Sequence, residues 1–181
     1  MKITQTKLQG CVIMEPVVYE DERGFFMESY NKAAFQELLG KQVDFVQDNQ
    51  SFSTRGVVRA LHYQLGVHAQ AKLVRVLHGE VLDVAVDLRK GSPTFGEYIA
   101  VILSSGNNKQ LFIPRGFAHG FATLSPTAQF FYKCDNYYNR EAEGGIIFDD
   151  PSIGINWQLT SEEIIISEKD QALPTLNNAR L

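Results

Sequence analysis

The segment VVRALHYQLGVHAQAKLVRVLHGEV, Val57 to Val81, holds three of the four histidines in the chain, each beside apolar, strand-forming residues. Imidazoles in that setting can ligate a metal, move a proton or fill a core. His62 has company that the other two lack. Arg59 lies on the same predicted strand, and Lys72, His119 and Tyr132 lie on other predicted strands that a closed barrel would bring together. His68 sits in the loop-like LGVHAQA and His78 just before Gly79 in a turn, so both are read as structural or exposed.

The elements that must position these groups are short strands. In EVLDVAVDLR, Leu82, Val84, Val86 and Leu88 alternate with Val81, Asp83, Ala85 and Asp87, the period-2 pattern of a half-buried strand. GFFMESY, VDFVQDNQSF, VVRALHYQ, AKLVRVLHG, EYIAVILS, KQLFIP, GFATL and AQFFYKC also read as strands. Gly, Pro, Ser and Asn punctuation such as RKGSPTFG and SSGNNKQ separates them. Many short strands predict an all-β sandwich or barrel. Helices are accessories: NKAAFQELLG, with Asn31 as N-cap and Gly40 as stop, and a short turn from Thr160 before SEEII. There is no repeat and no linker-like shift in composition, so residues 1–181 are read as one domain, long enough to bury about 70% of its unfolded surface.

Composition excludes several classes. Hydrophobic residues make up 44% and charged residues 21% of the chain, and no apolar run approaches the roughly 20 residues that span a bilayer, so a membrane role is not expected. MKITQTKLQG has two lysines but no apolar stretch after them, unlike a signal peptide, and a cytoplasmic location is expected. Cys11 and Cys134 stand apart without CxxC spacing and are read as buried thiols. A net charge of -4 without a basic run argues against nucleic acid as a partner and leaves an anionic small ligand open.

The stretch PRGFAH, Pro114 to His119, turns the chain at a Pro and a Gly just before a histidine-bearing strand, which resembles the cupin-type double-stranded β-helix, a jelly-roll barrel. Metal-binding cupins present a His-x-His pair, a downstream Glu and a further His. Here His62 is followed by Tyr63 and Gln64, and the polar residue next at an inward-facing position is Lys72. An ammonium has no lone pair to give a metal. The expectation is a cupin barrel with no metal, its ligands replaced by groups that donate, accept and neutralise.

Taken together, GVVRALHYQ, AKLVRVLHGEVLDVAVDLRKGSPTFG, FIPRGFAHGF, YKCDNYYN and SEKDQALP closely resemble the dTDP-4-dehydrorhamnose 3,5-epimerase family, and DERGFFMESY and FVQDNQS fit as well. The departures are Ala60, where the family usually has Gly, and Phe148, where Trp is commoner. The resemblance implies inversion of dTDP-4-dehydro-6-deoxy-D-glucose at C3 and C5, without metal or redox cofactor. A hydrogen beside a ketone leaves readily only if the enolate oxygen is stabilised, so the site needs a base, a cation at that oxygen and an acid on the opposite face. The resemblance assigns His62 as base, Asp170 as its orienting partner, Lys72 as the cation and Tyr132 as the acid. It also places Arg23, Glu28, Gln47, Asp48, Asn49 and Arg59 at the substrate, together with His119, Glu143 and Lys169, and stacks Tyr138 on the thymine ring. Guanidinium and ammonium groups of Arg23, Arg59 and Lys169 suit a pyrophosphate. Arg23 and Glu28 lie on an N-terminal strand that the family exchanges with a second subunit, so a homodimer is implied.

The alternatives are a related dTDP-sugar 3-epimerase, a 3,4-ketoisomerase, or a cupin that binds a sugar without catalysis. Tyr132 favours the double epimerase, because C5 needs a correctly placed acid. A binding module gives no reason for a base, a cation and an acid to coexist.

Overall fold

Strands set apart by tight turns build two facing antiparallel sheets. The computed structural model describes residues 1–181, in the order β1 (Lys2–Gln5), β2 (Val12–Glu15), β3 (Val18–Asp21), β4 (Gly24–Met27), α1 (Lys32–Leu39), β5 (Gln47–Thr54), β6 (Val58–Gln64), β7 (Lys72–His78), β8 (Glu80–Asp87), β9 (Tyr98–Ser104), β10 (Gln110–Ile113), β11 (Phe117–Thr123), β12 (Thr127–Cys134), β13 (Glu143–Gly145) and α2 (Glu168–Gln171). One sheet has the order β1-β2-β10-β7-β12-β5 and the other β13-β6-β11-β8-β9. Together they form the expected cupin-type double-stranded β-helix. The hairpin β3–β4 pairs with neither sheet and exposes Tyr19, Phe25 and Phe26. No helix is long and apolar enough to cross a membrane.

The core has three parts, two of them on either side of the β8 sheet and a third where Phe35 of α1 packs on Val12, Met14, Leu73 and Phe112. Val74, Val76, Val81, Ala85, Leu111, Phe121 and Phe130 fill the space between the sheets. Leu82, Val84, Val86 and Leu88 pack instead on Trp157, Ile153 and Leu176 of the C-terminal segment. This corrects the half-buried reading of β8, which is buried on both faces. Asp83 and Asp87 therefore do not form a solvent face. Both are fully buried, Asp83 beside His119 and Asp87 under the Arg89 guanidinium, Ser92 and Thr94.

α1 starts and stops where its residue types require. Asn31 accepts a hydrogen bond from the Ala34 N–H at 3.2 Å, and Gly40 takes the left-handed conformation, φ 66°, that closes the helix. Residues 161–163 form the expected turn, but the second helix lies farther on, at α2, with Ser167 capping Asp170 N–H at 3.1 Å. β1, β2, β3 and β13, each of three or four residues, have no period long enough to read in sequence.

Candidate active site

Regular alternation would place Arg59 and His62, three residues apart, on opposite faces of one strand. A bulge changes that. On β11 the partners His119 and Phe121 are two apart, yet they face His62 and Arg59 on β6, so Ala60 and Leu61 together oppose Gly120. The extra residue turns both Arg59 and His62 into the space between the sheets. Gly120 makes the close approach possible, since a Cβ there would lie 2.5 Å from the Ala60 Cβ. The Ala60 methyl itself is buried in the outer core, away from the cleft. Phe148, the other departure, packs against that same cluster.

The cleft so formed has a volume of about 610 Å³. Of the residues named from sequence, His62, Tyr132, Asp170, Lys72 and His119 line it. So do Gln47, Asn49, Arg59, Tyr138, Glu143 and Lys169. Asp48 does not. It alternates outward between Gln47 and Asn49 on β5 and holds Lys133 Nζ at 3.0 Å on the far side of the sheet. Arg23 and Glu28 are also outside the cleft of their own chain; the Arg23 guanidinium grips Asp21 on the β3–β4 hairpin, and Glu28 accepts from Asn31. His68 lies half-buried in a 3₁₀ turn and His78 is exposed, as expected. Gln64, Ser167, Phe121 and Phe130 are among the further lining residues that were not named from sequence, where nothing set them apart from ordinary strand and cap residues.

His62 sits on β6 and is bound through Nε2 to Asp170 Oδ1 at 2.8 Å. Burial opposes the Asp170 charge, but the hydrogen bond and charge of His62 and the Ala60 N–H hold its carboxyl below the usual range. A carboxylate there keeps the hydrogen on Nε2, which leaves the Nδ1 lone pair free to act as a base.

Tyr132 reaches the cleft from β12, on the other sheet. Burial, then Cys134, push its phenol up, against a smaller effect of Arg59. It therefore stays protonated and able to donate. Lys72, from β7 beside it, has its Nζ 5.7 Å from the centre of the Tyr132 ring. Burial pushes the Lys72 ammonium down while Cys134 and Asp83 push it up. It has no salt-bridge partner, so an anion developing next to it would be stabilised without first breaking an ion pair. Cys134, like Cys11, is a buried thiol.

The floor is aromatic. Phe121 and Phe130 stack at 4.3 Å, and His119 lies over Phe130 at 5.9 Å. Such pairs contribute about 0.5–1.5 kcal/mol each beyond area burial. At the mouth, Tyr138 Oη donates to Glu143 Oε2 at 3.0 Å, and Lys169 Nζ binds Glu143 Oε1 at 2.6 Å. Tyr138 is half exposed, with a face open to a planar ligand. Tyr138→Ala is expected to raise the Kd for dTDP about 5- to 150-fold, the 1–3 kcal/mol of one base–aromatic stack. Calorimetry checks this, and unchanged affinity would return Tyr138 to the ordinary surface aromatics.

A histidine–carboxylate pair on one sheet faces a phenol and a lysine on the other. That opposition is the arrangement an isomerase needs if it is to draw a proton from one side of a substrate and return one to the other. Residues 5–178 match the family model for dTDP-4-dehydrorhamnose 3,5-epimerase. The Salmonella typhimurium enzyme of that name is 53% identical over 181 residues, covering 100% of this chain and 98% of its own. The crystal structure of the 3,5-epimerase from Legionella pneumophila in complex with dTDP-4-keto-L-rhamnose is 51% identical with TM-score 0.94, covering 98% of this chain and 93% of that one. A 3'-monoepimerase from Streptomyces bikiniensis, solved with dTDP-quinovose, is 31% identical with TM-score 0.88 and covers 95% and 86%. The chain belongs to the dTDP-4-dehydrorhamnose 3,5-epimerase family.

Proposed function

We propose that residues 1–181 act as one domain that inverts C3 and C5 of dTDP-4-dehydro-6-deoxy-D-glucose to give dTDP-4-dehydro-L-rhamnose. The observation that carries this reading is the placement of His62 and Tyr132 on opposed walls of one cleft. His62 Nδ1 removes the proton beside the 4-keto group, and the Asp170 carboxylate stabilises the imidazolium that results. Lys72 holds the enolate oxygen. Tyr132 delivers a proton from the opposite wall, and that change of side inverts the carbon. The higher identity to 3,5-epimerases than to the monoepimerase supports action at both carbons.

Arg59 and Lys169 sit at the cleft rim, where a pyrophosphate would lie, and Tyr138 takes the thymine. Arg23 and Glu28 reach the cleft of a second copy. In this homodimer the β3–β4 hairpin, which pairs with neither sheet of its own chain and exposes Tyr19, Phe25 and Phe26, is exchanged. The protein works in the cytoplasm and needs neither metal nor redox cofactor, a reading supported by Lys72 standing at an inward position where ligands would be expected. After extensive chelation the purified protein is expected to convert the substrate at an unchanged rate to a sugar inverted at both centres, read by proton NMR couplings. Loss of activity restored by one divalent ion, or a product inverted at C3 alone, would overturn the proposal.

A further inference from the structure

A second histidine–carboxylate pair lies at the inner end of the cleft, and the steps above leave its carboxylate without a role. Asp83, on β8, is fully buried and binds His119 Nε2 through Oδ2 at 2.9 Å. Its other oxygen, Oδ1, is buried with no hydrogen-bond partner. A buried carboxylate oxygen left unpaired is costly. Packing alone would favour an apolar residue, as at the neighbouring inward positions Val81 and Ala85. Asp83 therefore serves something other than the stability of the strand.

What it governs is the polarity of His119. Burial pushes the Asp83 carboxyl up, and His119 and then Lys72 pull it back down; when the ionised Asp83 accepts from Nε2–H, a neutral imidazole carries its lone pair on Nδ1. His119 lines the cleft, and no protein group bonds to that Nδ1. Burial pushes His119 below its ordinary value; Asp83 pulls it up, and Lys72 pushes it down again. The neutral form results, a hydrogen-bond acceptor. Lys72, facing it from the other sheet, can only donate. The inner end of the cleft thus pairs a donor with an acceptor.

We propose that Asp83 is a positioning residue that fixes His119 as a hydrogen-bond acceptor, so that Lys72 and His119 together hold an α-hydroxy ketone. Lys72 takes the ketone oxygen and His119 Nδ1 takes the hydrogen of the adjoining hydroxyl. This rests on the epimerase reading and adds a requirement to it, a free hydroxyl on the carbon next to the ketone.

The test begins with the unaltered protein labelled with nitrogen-15 at histidine. Two-bond proton–nitrogen correlations, with His119 assigned from a His119→Gln sample, should show hydrogen on Nε2 and none on Nδ1 across about pH 6 to 8. In Asp83→Asn the amide can donate as well as accept, so this tautomer is no longer enforced. Its kcat/KM on the natural substrate should fall about tenfold or more, with dTDP affinity within about twofold of wild type. On an analogue lacking the hydroxyl next to the ketone, variant and wild type should be equally poor. A wild-type His119 that is charged or carries hydrogen on Nδ1, or an Asp83→Asn loss of equal size on both substrates, would overturn the inference. If Asp83→Asn does not fold, the wild-type spectrum decides. Failure of the wild-type protein to epimerise the natural substrate would sink the function itself, a result distinct from a wrong tautomer.

Discussion

His62→Ala is expected to stop solvent exchange at both C3 and C5, lowering the rate by about 10³-fold or more, within the range general-base catalysis supplies. One base serves both carbons in this account, because they flank the same ketone and the His119 lone pair is engaged by the substrate hydroxyl, leaving His62, backed by the ionised Asp170, as the base. Asp170→Asn should weaken exchange by less. An amide oxygen can still accept from Nε2–H and hold the ring, but it stabilises the imidazolium poorly. Exchange followed by NMR in deuterated water checks both variants. Substantial exchange at either carbon in His62→Ala would show that a second base exists and that the dyad is wrong.

Tyr132→Phe separates proton removal from inversion. Inversion needs the new proton on the face opposite the one that lost it, so a base alone gives exchange without a changed product. Phenylalanine keeps the ring against His119 and Phe130 and removes only the hydroxyl. His62 should still draw protons off, while return from the other wall slows by about 10²- to 10⁴-fold, the usual contribution of a positioned acid. Deuterium uptake should then outpace product formation. If Tyr132→Phe forms the doubly inverted sugar at the wild-type rate, another group delivers the proton.

Much of the site could be read in sequence because its residues fall on strands with clear alternation, and a barrel must bring inward positions together. That rule put Lys72 and Tyr132 on strands facing the same space, and the family resemblance supplied their roles. Two features defeated it. The bulge at Ala60 and Leu61 adds one residue to β6, so the inward turn of both Arg59 and His62 is not visible in any period. β8 carries two aspartates among valines, which in sequence marks a solvent face; the C-terminal segment covers one side of the strand and His119 and Arg89 pair the aspartates on the other. Asp83 was missed for that reason. Asp48 was placed at the substrate with Gln47 and Asn49 by the resemblance, though a strand turns every second residue away. Arg23 and Glu28 lie outside the cleft of their own chain, and the family resemblance alone had placed them at the substrate.

The most direct test of double epimerisation is the count of solvent hydrogens in the product. Wild-type protein and dTDP-4-dehydro-6-deoxy-D-glucose are incubated in deuterated water, and the product is analysed by mass spectrometry and NMR. The account predicts product carrying deuterium at both C3 and C5, with both centres inverted and the ketone still at C4. Deuterium and inversion at C3 alone, or a ketone moved to C3, would contradict it.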